Sequence, residues 1–371
     1  MTLSIDDTTR AELDRYGFDP AQLATFAERA RTGAGSDNAV KGTVTVPSPE
    51  DVTELPPIGS RERTELARIG REAIARGEVG AVILAGGMAT RFGGVVKAVV
   101  PVYDGRSFLE IKVDDVVGAS RHAGGRVPIY VMTSFATHAR IEEHVRESKL
   151  DAEADITCFP QLVSLRLTPE GTLFREGDGT LSPYATGHGD LSFALRASGV
   201  LARFRAAGGR HLVMSNVDNL GATLDPAIVG LHVQRGAKIT AEVVKKDPGD
   251  KGGAPARVNG IAQIVEGFRF PQGFDQDAIP VFNTNTFVLD AEAIDRDFAL
   301  PFYRVEKKVE GRSAIQFERL VGELTAFLPS AFVLVPRDGE EGRFQPAKDP
   351  EELARRLSNI IAIAKGERWS R

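Results

Sequence analysis

From residue 78 onward the chain alternates two patterns. Short, nearly continuous apolar runs stand at 79–85, 127–132, 211–214, 239–244, 262–265, 281–289 and 332–335. Between several of them, at 107–120, 136–147, 189–207, 225–235 and 313–327, apolar residues recur at spacings of three and four. A continuous run predicts a strand covered on both faces, and the wider spacing predicts an amphipathic helix. Strands alternating with helices predict an α/β fold: a three-layer, mostly parallel, mixed sheet of Rossmann-like type.

The flanks read differently. Asp6-Asp7-Thr8 caps a helix to about Tyr16, and Asp19-Pro20 opens another to about Arg31. A third spans 61–76 and stops at Gly77. Residues 32–59 are rich in Gly, Ser, Pro and Asp and predict a long loop; 170–183 predicts a polar hairpin or loop. A last helix, 349–365, opens Asp349-Pro350-Glu351-Glu352, with acids at its positive end. The division expected is a helical segment over 1–77, a core over 78–300 and a short C-terminal α/β segment over 301–371 that packs on the core.

Composition narrows the function. The 371 residues are 42% hydrophobic and 26% charged, with a formal net charge of −5. Such a chain has no global positive field to attract nucleic acid or an anionic membrane, so any anion must be held by a local arrangement of cations and amides. A single cysteine, Cys158, rules out an internal disulfide and a multi-cysteine metal site. No apolar run reaches the roughly twenty residues that span a bilayer. The start, Met1 to Asp7, lacks the basic and apolar stretches of a signal peptide, so a cytoplasmic location is expected.

The sharpest local signal is Leu84-Ala85-Gly86-Gly87-Met88-Ala89-Thr90-Arg91-Phe92-Gly93-Gly94, with Lys97 just beyond. A buried strand runs into glycines, whose backbone amides can approach a ligand closely, and Arg91 and Lys97 supply charge. Donors facing one small volume suit a polyphosphate. Gly-x-Gly-x-x-Gly and Gly-Lys-Ser/Thr are both missing, which argues against a dinucleotide fold and a Walker loop.

This segment resembles the signature loop of the sugar nucleotidyltransferases, although Ala89 stands for a third glycine and Val96 precedes Lys97 where proline is usual. Further segments, in order from about 79 to 353, resemble the eukaryote-type UTP–sugar-1-phosphate uridylyltransferases. These are Phe159-Pro160-Gln161, Thr186-Gly187-His188-Gly189-Asp190, Ser215-Asn216-Val217-Asp218, Lys251-Gly252-Gly253, Phe282-Asn283-Thr284-Asn285, Ile315-Gln316-Phe317-Glu318 and Arg343-Phe344-Gln345-Pro346-Ala347-Lys348.

The resemblance implies the nucleotide-sugar transferase fold and a set of roles. Leu84, Gly86, Gly87, Gln161, Gly187 and Asp218 would hold the nucleotide, with Gln161 reading uracil through an amide that both donates and accepts. His188, Asn216, Gly253, Glu266, Asn283, Asn285 and Lys348 would face the sugar phosphate, although Glu266 also reads as a solvated strand end and Lys348 as a surface ion pair. Lys97 and Arg91 would take the leaving pyrophosphate. A lysine before the Ile-Gln-x-Glu segment, expected to be helical, would hold the α-phosphate; Lys307 and Lys308 both qualify, and spacing slightly favours Lys308. Mg²⁺ would sit on Asp218.

The activity implied is UTP–glucose-1-phosphate uridylyltransfer, in which the sugar phosphate attacks the α-phosphorus in line. N-acetylglucosamine 1-phosphate is the alternative sugar, because Leu300-Pro301-Phe302-Tyr303 with Lys307-Lys308 resembles that branch. A catalytically silent UDP-sugar-binding protein is the alternative of another class. The expected partners are UTP and the sugar phosphate, in a monomer or small homo-oligomer, without nucleic acid or membrane.

Overall fold

The structure, a computed structural model, describes residues 4–34, 37–89, 94–250, 252–339 and 341–365. Its axis is the apolar run after residue 78, which forms a fully buried strand, Val79–Leu84. Side chains alternate across it: Ala81 and Ile83 enter one hydrophobic cluster, Val82 and Leu84 another. A strand buried on both faces needs apolar residues at every position, which is why the run is continuous.

Among the described residues eight strands form the central sheet. In chain order they are β1 (Val52–Glu54), β2 (Val79–Leu84), β3 (Ile129–Thr133), β4 (Ile156–Pro160), β5 (His211–Asn216), β6 (Ile239–Lys245), β7 (Val281–Asp290) and β8 (Ser330–Leu334). Across the sheet they run β1-β8-β6-β7-β5-β2-β3-β4. β7 pairs antiparallel with both β5 and β6; the other pairs are parallel. The expected mixed, mostly parallel sheet is therefore present, and strands from both flanking segments complete it. Here the expectation of a plain loop over 32–59 is corrected, because Val52–Glu54 is the edge strand beside β8.

Helices cover the two faces. The first three are α1 (Asp7–Asp14), α2 (Pro20–Thr32) and α3 (Arg61–Ala75), capped by Asp6, Asp19 and Ser60. Next come α4 (Phe108–Ala123), with a capping box between Ser107 and Glu110, then α5 (His138–Glu147) and α6 (Leu150–Glu153). The predicted helix over 189–207 is interrupted at Gly199 into α7 (Leu191–Ala197) and α8 (Val200–Ala206). α9 (Pro226–Arg235) and α10 (Pro350–Ala364) each open with proline behind an aspartate cap, Asp225 and Asp349, the latter as expected from the sequence. Among the described residues no helix is long and apolar enough to cross a membrane.

One element is wrong in kind. Residues 313–327, expected as a helix, form the strand Arg312–Glu318 and a 3₁₀ segment, Val321–Ala326. The strand pairs with Tyr303–Val309 in a hairpin. Ile315 and Phe317, two apart, are buried against the N-terminal helices, with Phe317 stacked on Phe26 at 4.6 Å. Alternation of period two on that surface outweighs the three-and-four spacing further along. The run at 262–265 also lies outside the central sheet: Ile261–Val265 joins Ala254–Val258 and Val44–Thr45 in a three-stranded sheet.

Candidate active site

Four neighbouring parallel strands, β5, β2, β3 and β4, end at one edge of the sheet, and the predicted nucleotide residues follow them there. Asn216, the last residue of β5, pairs with Leu84, the last of β2. The glycine loop leaves β2 and forms a small hairpin, Met88–Ala89 against Val95–Val96. Its tip, including Arg91, lies outside the described residues, as does Lys251. Beyond the hairpin, Lys97 donates its backbone N–H to Gly87 (3.3 Å) and places its Nζ 2.7 Å from Asp218 Oδ2. Two residues 121 positions apart thus form one half-buried ion pair.

Gln161 follows β4 and donates its backbone N–H to Thr133 O (2.9 Å). The residue is 7% exposed overall, and its side-chain amide makes no hydrogen bond among the described residues, yet its polar atoms are not sealed from solvent. A primary amide left open at a sheet edge has one donor and one acceptor free for a ligand. Gly86 lies against it: a methyl built there lands on Gln161 Nε2 and 3.4 Å from Ser134 Cβ. Only glycine leaves that amide its present place.

The loop with His188 closes the next side. Gly187 has φ +97°, and a methyl on it would stand 2.5 Å from Arg319 O. The backbone of Arg319 clamps this loop, donating to Thr186 O (3.0 Å) and accepting from Gly189 N–H (2.9 Å). Beneath it Asp190 is buried, accepting from Arg319 Nε (2.5 Å), Thr186 Oγ1 (2.5 Å) and the Leu162 N–H (3.1 Å). His188 Nδ1 accepts from the Val321 N–H (3.1 Å), so the ring proton sits on Nε2. Burial pushes its pKa down to about 4, so His188 is a neutral donor at physiological pH.

The residues expected to face the sugar join by the antiparallel strand. In β7 the register against β6 shifts at Glu242/Val243, which leaves Thr284 and Asn285 without ladder partners in β6. Asn285 takes φ +57°, a conformation asparagine tolerates better than most residues, and its Nδ2 donates to Asn216 Oδ1 at 3.1 Å. Asn283 donates its N–H to Gly253 O (2.8 Å). A methyl on Gly253 would sit 2.8 Å from Glu266 Oε1, and one on Gly322, next to the residue that fixes His188, 3.7 Å from the same oxygen. Burial, and then the nearby Glu323 carboxylate, push the Glu266 pKa up to about 7. Leu84, Gly86, Gly87, Lys97, Gln161, Gly187, His188, Asn216, Asp218, Gly253, Glu266, Asn283 and Asn285 therefore form one contiguous lining.

Three lysines sit at its margin. Ala347 donates its N–H to Asp218 O (3.2 Å), which places the exposed Lys348 next along the chain. Lys307 and Lys308 are exposed on the hairpin, and the register pairs Lys307 with Ala314 and Lys308 with Ser313. Alternation puts Lys307 on the face of Gln316 and Glu318, and Glu318 Cβ lies 3.4 Å from the position of a Gly187 methyl. Lys308 shares the other face, with Ile315 and Phe317.

With this lining in place the comparisons are specific. The model of the UTP–glucose-1-phosphate uridylyltransferase family matches residues 29–370. The chain belongs to this family. Among curated relatives, a UTP–glucose-1-phosphate uridylyltransferase of Dictyostelium discoideum is 28% identical over 342 residues, covering 86% of the chain. The chain spans 65% of that relative's length, a little under two thirds. The fold agrees with two solved Trypanosoma brucei structures. A uridine diphosphate N-acetylglucosamine pyrophosphorylase matches with TM-score 0.79 at 16% identity, covering 96% of this chain and 79% of that one. A UDP-glucose phosphorylase matches with TM-score 0.73 at 22% identity, covering 95% and 77%.

Within this uridylyltransferase fold, sequence reasoning missed the groups that hold the lining in place. Asp190 and Arg343 stood in quoted motifs without a role, and Arg319 follows one directly. Lys112 gave no signal: it sits on α4, and its Nζ donates to Ser215 Oγ (2.9 Å) and Ala222 O (2.6 Å), bracing the loop that carries Asp218.

Proposed function

We propose that this chain transfers a uridylyl group from UTP to glucose 1-phosphate, releasing pyrophosphate. The observation that supports the reading is the junction at one sheet edge of the Gln161 amide, which makes no hydrogen bond among the described residues, and the Lys97–Asp218 pair. The first is what a uracil imide edge requires, one donor and one acceptor; the second is charge placed where a triphosphate would extend from that base.

The nucleophile, a phosphate monoester oxygen, is ionised at neutral pH, so the reaction needs no general base. His188 fits this, because a neutral ring with its proton on Nε2 offers a hydrogen bond rather than proton transfer. Rate enhancement then rests on alignment and on neutralising charge around the α-phosphorus. Lys97 takes charge on the departing pyrophosphate. Lys307, on the face leading to Gly187, is better placed than Lys308 for the α-phosphate.

Among the described residues no three His, Cys, Asp or Glu side chains gather into a cage. The single carboxylate Asp218 still fits Mg²⁺, which commonly takes one or two carboxylates and fills its shell with phosphate and water oxygens. Bound there, Mg²⁺ would supply charge neutralisation across the phosphates. Asp218 would then be shared between the metal and Lys97, whose Nζ lies 2.7 Å from its Oδ2 and would be near enough to reach phosphate.

Asn283, Asn285, Asn216, Gly253 and Glu266 line the remaining space with amides and a carboxyl, suited to orienting hydroxyls of a hexose. Glucose is preferred because the Phe-Asn-Thr-Asn strand resembles the glucose branch. The test is pyrophosphate release from common nucleoside triphosphates paired with several sugar 1-phosphates. UTP with glucose 1-phosphate is expected to be the best pair. UDP-glucose binding without any pyrophosphate release would instead establish the silent binding protein.

A further inference from the structure

A cavity of about 410 Å³ lies between α3, the start of α9 and the residues Pro336, Glu341 and Arg343. That volume lies within the usual range for small-molecule sites. Leu55, Ile58, Ala67, Pro226 and Pro336 give it apolar walls. Three arginines line it beside His122 and the carboxylates of Asp225 and Glu341, and two of the arginines are already engaged. Arg63 is paired with Asp225 at 2.5 Å, and Arg343 with Glu242 at 2.6 Å. Arg71, half-buried on α3, has no hydrogen bond or ion pair among the described residues.

We propose that this cavity binds a small anion with an apolar body, such as an aromatic or short aliphatic carboxylate, with the anionic group on Arg71, and that its occupancy is felt at the uridylyltransfer site. The apolar walls exclude a purely ionic ligand such as inorganic phosphate, and an unpaired guanidinium disfavours a neutral one.

The path to Asp218 is short and made of buried contacts. Arg343 donates to Thr223 O (2.9 Å) and Thr223 Oγ1 (3.1 Å), and Thr223 lines the same cavity. The Arg343 carbonyl accepts from Asn219 Nδ2 (3.1 Å), and Gln345 donates its N–H to Asn219 Oδ1 (2.8 Å). Asn219 is the residue after Asp218. A ligand that packs on Arg343 and Thr223 therefore bears on both ends of the loop that presents the carboxylate. Coupling of this kind is reciprocal, so a ligand that alters UTP affinity must have its own affinity altered by UTP.

The test uses 1-anilinonaphthalene-8-sulfonate, an aromatic anion that fluoresces in apolar surroundings, on the full chain, with uncharged N-phenyl-1-naphthylamine as the comparison probe. Saturable binding at one site per chain is expected, with the neutral probe at least about tenfold weaker. Arg71→Ala should remove that difference. Thr64→Trp, at an exposed position over the cavity, should abolish binding of both probes while thermal melting stays unchanged. Binding that survives Thr64→Trp, fails to saturate, or favours the neutral probe overturns the site. UTP affinity by equilibrium dialysis should change at least about threefold with the sulfonate bound, in the manner of an allosteric coupling. Unchanged UTP affinity with the site occupied overturns the coupling. The dialysis arm rests on the proposed function and the fluorescence arm does not, so a chain that ignores UTP but binds the sulfonate as described refutes only the former.

Discussion

Replacing Gly86 by alanine isolates the step from loop geometry to base recognition. The backbone at Gly86 has no positive φ, so alanine introduces no conformational strain; its whole effect comes from what the new methyl meets. The methyl would stand on Gln161 Nε2, with Ser134 Cβ at 3.4 Å closing the other side. Ser134 is held in turn by its own hydrogen bond to Gly86 O (2.8 Å), so the flexible partner is the glutamine. Its amide must swing away, and on the proposed reading uracil would lose both a donor and an acceptor. Two hydrogen bonds with polar groups left unpaired in a buried site cost roughly 2–3 kcal/mol, or about 30- to 150-fold in kcat/KM for UTP.

The assay is pyrophosphate release at varied UTP with glucose 1-phosphate saturating, beside Gln161→Ala and the double variant. If both changes act through one amide, the double variant should lose little more than either single one, the non-additivity of groups in contact. Gly87→Ala, where a methyl meets nothing within 4 Å, serves as the folding control and should melt like the parent. The reasoning fails if Gly86→Ala keeps kcat/KM within about threefold of the parent, or if the two losses multiply in the double variant.

Lys97→Ala should lower kcat about a hundredfold or more, by analogy with other lost electrostatic stabilisers, and steady-state kinetics with folding checked by circular dichroism will show it. Arg343→Met leaves Glu242 buried without its partner and should cost about 3–5 kcal/mol of stability, read from denaturant unfolding. The lowered His188 pKa means the unfolded chain binds more protons between about 4 and 6.5, so His188 makes stability fall as pH drops through that window; His188→Asn should lessen that fall in melting temperature relative to the parent. Glu266 works the other way: with its pKa raised from 4.5 to about 7, the folded chain holds the extra proton, and stability falls as pH rises through that range. Glu266→Gln should remove that contribution, and a melting curve whose pH slope over this range is unchanged from the parent's refutes the assignment.

Residues that would touch substrate were legible in the sequence because each stands in a short local pattern. Gly86-Gly87 ends a strand, His188 lies between glycines, and Asp218 follows an apolar run. What was not legible is what holds them. Arg319 finds Asp190 across 129 positions, Arg343 finds Glu242 across 101, and Lys112 finds Ser215 across 103. No local periodicity encodes such partners, because each is fixed only when the sheet order is. The misread helix over 313–327 has the same origin: alternating Ile315 and Phe317 and the wider spacing further along are both present, and Phe26 on another segment decides between them. Asn285 shows the consequence for function. A left-handed asparagine opposite a register shift breaks the strand pattern on both sides, costs on the order of 1 kcal/mol, and turns its amide onto Asn216. The sheet carries that cost because its other pairs fix the register, so the position that departs furthest from strand rules is the one that ties β7 to the end of β5, joining the residues proposed for the nucleotide to those proposed for the sugar.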